Sequence, residues 1–212
     1  MKRREVVKGA LMAGSLAVLG LPQAQAQEAG AFVKAKREVP RTTPGKIDVV
    51  EFFWYGCPHC FHFEPALNEW IKKLPSDVHF MKVPVRWPSN RVNFEGHQKL
   101  YFTLEALGKM PAAHAKVFDA MHKDKNPLAN DAQIFDFAVS IGINREEFAN
   151  MYKSFAVSTK CAKATGLMEA YGPDGVPTLG IDGKFMTSAS IAGTEENALR
   201  VADLLIKRAR QG

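Results

Sequence analysis

Cysteine is scarce: the 212 residues contain three, at positions 57, 60 and 161. A disulfide-stapled small domain needs more, and a chain of this length can bury a core without staples. No second cysteine pair stands ready to complete a zinc site around Cys57, Cys60 and His62, and such a site takes about four ligands. No histidine directly follows Cys60, since Phe61 holds that place, and this excludes c-type haem attachment. No apolar run reaches the ~20 residues of a membrane-spanning helix. Repeats and low-complexity tracts are absent. There is no basic stripe interleaved with aromatics, so nucleic acid is not an expected partner. The net charge of +6 misleads on this point, because Lys2, Arg3, Arg4 and Lys8 against Glu5 supply half of it before residue 10.

Those charges open a targeting segment. "MKRREVVKGA" is a basic lead, "LMAGSLAVLGL" a short apolar run, and "AQA" at 24–26 supplies the small residues of a cleavage site. The expectation is an export signal over residues 1–26, with the mature chain starting near Gln27. An uncleaved anchor is the bland alternative. Arg3-Arg4 resembles a twin-arginine signal, while a Sec signal also accommodates two basic residues, so both routes stand open. No cysteine lies near the cleavage site, which argues against lipid attachment. Outside the cytosol disulfides form and persist, and this changes how the cysteines are read.

After a turn-rich lead-in, "KIDVVEFFWYG" is a continuous apolar stretch rich in β-branched and aromatic residues. It fits a strand covered on both faces. Pro58 then sits where a missing N–H is harmless, at the first position of a helix. Leu67, Trp70, Ile71 and Leu74 mark its buried stripe, Pro65 should kink or interrupt it, and Pro75 should end it. "DVHFMKVPVRW" is a second strand. From about Asn90 to Tyr171 the pattern is helical, with a helix start at Asn144 and Glu147. "GVPTLGIDGKF" returns to strand–turn–strand about Asp182-Gly183, and "TEENALRVADLLIKRAR" is a closing amphipathic helix. The fold class is α/β, a small sheet over residues 27–89 and 173–212 interrupted by an all-helical insert at 90–172.

Four uses of Cys57 and Cys60 compete. Haem fails on Phe61, and metal lacks ligands. A structural staple across one helical turn closes a loop too short to gain much chain entropy. Redox exchange remains, and the local physics favours it. Cys57 falls at the N-cap, where free N–H groups and the helix dipole stabilise a thiolate, the reactive form. Cys60, one turn in, faces the protein and is the expected resolving thiol. His59 lowers the Cys57 pKa further if it is charged or donates a hydrogen bond; its bland reading is a solvated loop residue. Cys161, in an insert helix, is expected to be a buried or half-buried free thiol.

"VVEFFWYGCPHCFHFEPAL" resembles the active-site segment of the DsbA family of bacterial periplasmic thiol:disulfide oxidoreductases, down to Glu64 and the phenylalanines at 61 and 63. The likeness extends through the helical block, "GVPTLGIDGKF" and the last helix. It implies a thioredoxin fold with an inserted all-helical domain. It makes Val176-Pro177 the cis-proline loop opposite Cys57-Pro58-His59-Cys60, where the alternative is a trans proline at a strand entry. Val176, Pro177, His59 and Phe63 become the expected substrate contacts. Glu51 and Lys82 match the family's acid and lysine beneath the buried cysteine, and so a proton relay for Cys60; an edge-exposed charge pair is the alternative.

The family resemblance further implies a periplasmic monomer without cofactor or metal. It would pass its disulfide to reduced or unfolded exported proteins and be reoxidised by a DsbB-type membrane partner. A disulfide reductase or isomerase and a non-redox peptide-binding chaperone are the competing functions. The known isomerases add a dimerisation domain for which this chain has no spare length.

Overall fold

The computed structural model describes residues 30–211. The expected export signal, residues 1–26, lies outside the described residues. Five strands form one mixed sheet: β1 (Val33–Lys34), β2 (Ile47–Phe53), β3 (Val78–Pro84), β4 (Thr178–Ile181) and β5 (Phe185–Thr187), in the order β1-β5-β4-β2-β3. β2 and β3 run parallel, joined by helix α1 (Pro58–Ile71), while the other neighbours are antiparallel. Between β3 and β4 come five helices: α2 (Phe94–Ala106), α3 (Ala112–His122), α4 (Asp131–Ser140), α5 (Arg145–Tyr152) and α6 (Phe155–Tyr171). The short α7 (Ala189–Ala192) and α8 (Glu195–Ala209) close the chain. No helix among the described residues is long and apolar enough to cross a membrane.

Every residue of β2 is buried, as its unbroken apolar run requires. Alternation sends Ile47 and Val49 toward α1 and α8, where they join Phe63, Leu67, Trp70, Val201 and Leu205. Val50 and Phe52 turn to the other face, into a core shared with Leu100, Phe118, Phe148 and Tyr171 of the helical block. The five helices therefore share a hydrophobic core with the sheet. The Trp70 indole N–H donates to Asp203 at 2.9 Å, pinning α1 to α8.

Side-chain caps fix where four of the five helices of the block begin, α3 being the exception. Asn93, Asn130, Asn144 and Ser154 each accept a backbone N–H three residues on. The expected start at Asn144 and Glu147 is one of these. α1 departs from expectation in two ways. It ends at Ile71, so Leu74 packs from the turn that follows. Pro65 lies inside it without interrupting it; its side is exposed, where water can take the freed carbonyl. The lead-in also contributes more than turns, because β1 pairs with β5 and Ala31 enters the core.

The β4–β5 hairpin turns at Asp182-Gly183, both with positive φ (54° and 68°). Gly183 is also a junction: its N–H donates to the Tyr171 hydroxyl at 2.8 Å and its carbonyl accepts from Val39 N–H at 3.0 Å. A β-carbon there would run into the Val39 carbonyl. Gly183→Ala is therefore expected to cost about 1–3 kcal/mol in urea denaturation. An unchanged midpoint would show that this junction bends freely.

Candidate active site

β2 runs straight into the reactive segment. Cys57 closes a turn through its N–H to the Trp54 carbonyl (3.0 Å), and its own carbonyl accepts from Phe61 N–H (3.1 Å). It is the N-cap of α1, with extended φ and ψ (−85°, 116°) and Pro58 at the first helical position. Both thiols are free. Cys60 is fully buried and Cys57 is 7% exposed. The Cys57 sulfur is thus the more accessible of the two, yet it is roofed over. The cover is the loop before β4, where the Val176-Pro177 bond is cis and the Val176 carbonyl lies 3.4 Å from Cys57 Sγ.

The two sulfurs differ in electrostatics. A hydrogen bond from the Cys60 thiol, backbone N–H groups of Cys60 and His59, and the His59 charge lower the Cys57 pKa to about 6, against the cost of burial. Burial and the neighbouring Cys57 and Glu51 charges drive the Cys60 pKa far upward. In the reduced protein one thiolate is favoured, and it sits on Cys57.

Beneath them is a chain of buried polar groups. Glu51 on β2 stands in register with Lys82 on β3, and their side chains pair at 2.5 Å. Lys82 also pairs at 2.5 Å with Glu64, which α1 delivers one turn beyond Cys60. His114 Nε2 reaches the same Glu64 oxygen at 3.3 Å, and the Tyr55 hydroxyl reaches His114 Nδ1 at 2.8 Å. Asn68 donates to the other Glu64 oxygen at 3.1 Å. Glu51 keeps one buried carboxylate oxygen with no partner. Burial lifts its pKa to about 7 despite Lys82. Glu64 is buried too, but the His114 hydrogen bond and the Lys82 charge bring its pKa down to about 2. Lys82 stays protonated, since the two carboxylates outweigh its burial.

Beside the sulfurs a cavity of about 220 Å³ is lined by His59, Gly175, Val176, Pro177, Ala189, Ser190 and Glu195. Among the described residues no cluster of three or more His, Cys, Asp or Glu side chains is placed to hold a metal.

The DSBA-like thioredoxin domain family matches residues 72–199. The thiol:disulfide interchange protein DsbA of Azotobacter vinelandii is 41% identical over 213 residues, covering 98% of each chain. That of Pseudomonas aeruginosa is 40% identical over 179 residues, covering 84% of this chain and 83% of its own. The crystal structure of Pseudomonas aeruginosa DsbA superposes with a TM-score of 0.80 over 86% of this chain and 93% of that one, at 40% identity. The oxidoreductase DsbA from Xylella fastidiosa does so with 0.77 over 86% and 96%, at 27% identity.

The chain belongs to the DsbA-like thioredoxin family. It is a disulfide oxidoreductase with a thioredoxin fold.

Within this DsbA-like frame the structure gathers Cys57, Pro58, His59, Cys60, Val176 and Pro177 at one end of the sheet. Glu51 and Lys82 form a pair there, with Glu51 on an interior strand and fully buried rather than at an exposed edge. Phe63 is placed elsewhere. It is 2% exposed, in the core between α1 and α8, so it has no surface to offer a substrate. Cys161 is buried in α6, with its pKa raised to about 11 by burial. Sequence reasoning missed His114 and Tyr55. The available signal was a histidine on the stripe of α3 that also carries Val117 and Phe118.

Alkylation of reduced protein by iodoacetamide is expected to label Cys57 first, with a rate that rises through a midpoint near pH 6 and tracks the thiolate fraction. Cys60 should stay unlabelled over the same range. Faster labelling of Cys60 would reverse the roles of the two sulfurs.

Proposed function

We propose that the chain is an exported oxidant of the periplasm, which donates the Cys57–Cys60 disulfide to newly exported, reduced or unfolded proteins and is reoxidised by a DsbB-type membrane partner. The observation that carries this reading is the asymmetry of the two sulfurs. A thiolate stabilised at Cys57 makes it a good leaving group and favours the reduced protein, so the oxidised protein passes its disulfide on readily. The basic–apolar–small order of residues 1–26 supports export.

The exchange follows from this geometry. A substrate thiolate attacks Cys57 Sγ, the Cys57–Cys60 bond breaks, and Cys60 leaves as a thiolate. Its pKa lies so high that it takes a proton at once, and Glu51 is the buried acid near it. A second substrate thiolate then attacks the substrate sulfur of the mixed disulfide, and Cys57 departs as its stabilised thiolate. Two electrons pass from the substrate dithiol to the cysteine pair. Glu51 recovers its proton through the charge cluster, where Lys82 retains slight solvent exposure. Val176, Pro177 and His59 border the cavity that would receive the substrate chain, and main-chain pairing there would be indifferent to sequence. No bound cofactor is needed for any step.

Equilibration of the purified protein with glutathione buffers decides between oxidant and reductase. The oxidant reading expects half-reduction at a potential well above that of a thioredoxin-like reductase; a value at or below the reductase range would overturn it. Glu51→Gln is expected to slow the first exchange step by about tenfold. That is less than a general acid commonly contributes, because Lys82 gives water partial access. An unchanged rate and pH profile would remove Glu51 from the mechanism.

A further inference from the structure

Two carboxylates surround one ammonium beneath Cys60, and the relay described above works only if the spare proton resides on Glu51. The pairing with Lys82 does not choose between them: Nζ is 2.5 Å from Glu51 and 2.5 Å from Glu64. The other contacts do. Glu51 has an oxygen with no partner, whereas both Glu64 oxygens accept hydrogen bonds beyond or besides Lys82, one from Asn68 at 3.1 Å and one from His114 at 3.3 Å. Asn68 is on the exposed side of α1, where water can replace it. His114 is 5% exposed, and nothing from solvent can take its place.

The imidazole is held from both sides. Its Nε2 faces a Glu64 carboxylate oxygen at 3.3 Å, which only accepts, and burial keeps the Tyr55 phenol protonated, so the Tyr55 hydroxyl donates to His114 Nδ1 at 2.8 Å. Nδ1 is then the acceptor and Nε2 carries the hydrogen, aimed at Glu64. The Tyr55 main chain is held in turn, its carbonyl 2.8 Å from His122 Nε2. Phe53 and Phe118 wall the ring at centroid distances of 5.3 and 5.1 Å. The titratable groups facing it are Glu64 from α1, Tyr55 from the turn after β2, Lys82 from β3 and Tyr101 from α2. Burial and the Lys82 charge keep His114 neutral, against the pull of Glu64. It acts as a dipolar donor and adds no charge of its own.

We propose that His114 is a positioning residue of the exchange reaction: by donating Nε2–H to Glu64 it keeps that carboxylate ionised and leaves the spare proton on Glu51, beneath Cys60. The proposal rests on the relay reading of Glu51. Without His114 the proton spreads onto Glu64, away from the Cys60 sulfur. The Tyr55–His114 pair is then the device that sets where the proton waits. Neither residue touches substrate.

The test is a titration of the side-chain carboxyl carbons in reduced protein carrying isotope-labelled glutamate, with the Glu51 and Glu64 signals assigned from E51Q and E64Q. Wild type should show Glu51 taking up a proton near neutral pH while Glu64 stays ionised into the acid range. In the double variant H114F/Y55F, which leaves no orphaned hydroxyl, proton uptake near neutrality should appear on Glu64. The first-step exchange rate should fall toward that of E51Q. H114Q should restore both, since its amide can donate to Glu64 and accept from Tyr55. If the double variant does not fold, Y55F alone carries the test: freeing Nδ1 should shift the titration in the same direction by a smaller amount. Unchanged Glu51 and Glu64 titrations in H114F/Y55F, or in Y55F, would overturn the proposal. An E51Q protein that exchanges at the wild-type rate would instead sink the relay itself, whatever His114 does to the titration.

Discussion

A single sulfur at the start of one helix sets the terms for the rest of the molecule. Cys57 caps α1 with no side-chain oxygen to occupy the free N–H groups, so those groups and the Cys60 thiol are available to a thiolate. Nothing comparable serves Cys60, one turn deeper. The difference between two chemically identical side chains is thus created by their positions along α1. It depends on β2, which brings the chain to the helix start through a fully buried strand, and on the Val176 loop, which covers the Cys57 sulfur without sealing it.

In the proposed relay a buried thiol that leaves as a thiolate needs a proton nearby, and the charged cluster in the core would supply it. Taking ions out of water costs several kcal/mol each unless partners replace the lost hydration. Lys82 meets two carboxylates, Glu64 meets Lys82, His114 and Asn68, and His114 meets Tyr55. The exception is one Glu51 oxygen. Full burial, with that one acceptor left unsatisfied and the Glu64 charge nearby, raises the Glu51 carboxyl to where it can trade a proton near neutral pH.

Much of this was legible because it is local. The apolar run at 47–53, Pro58 at a helix start, Cys57 before it and the Asp-Gly turn each follow from neighbouring residues. Glu51 and Lys82 stand out as charges inside strand patterns. Phe63 shows the risk of arguing from nearness along the chain. Three residues past Cys60, it shares the buried side of α1 with Leu67, and helical periodicity points it away from the groove. His114 and Tyr55 are 59 residues apart, and only the packing of α3 against the end of β2 brings them together. β1 escaped notice because two residues carry no period of their own.

The most direct measurement is chemical denaturation of the reduced and the oxidised protein across pH. The folded Cys57 pKa of about 6 lies below that of an unfolded thiol, about 8.5. The thiolate's contribution is therefore complete above the unfolded value and is lost as pH falls through 6. A disulfide in place of the thiolate forgoes that contribution, and closing so short a loop returns little chain entropy. The reduced form should be the more stable at pH 7 and above, with the gap narrowing as pH falls from about 8.5 to 6 and small below 6. An oxidised form that is the more stable at pH 7, or a gap that does not change with pH, would contradict the account.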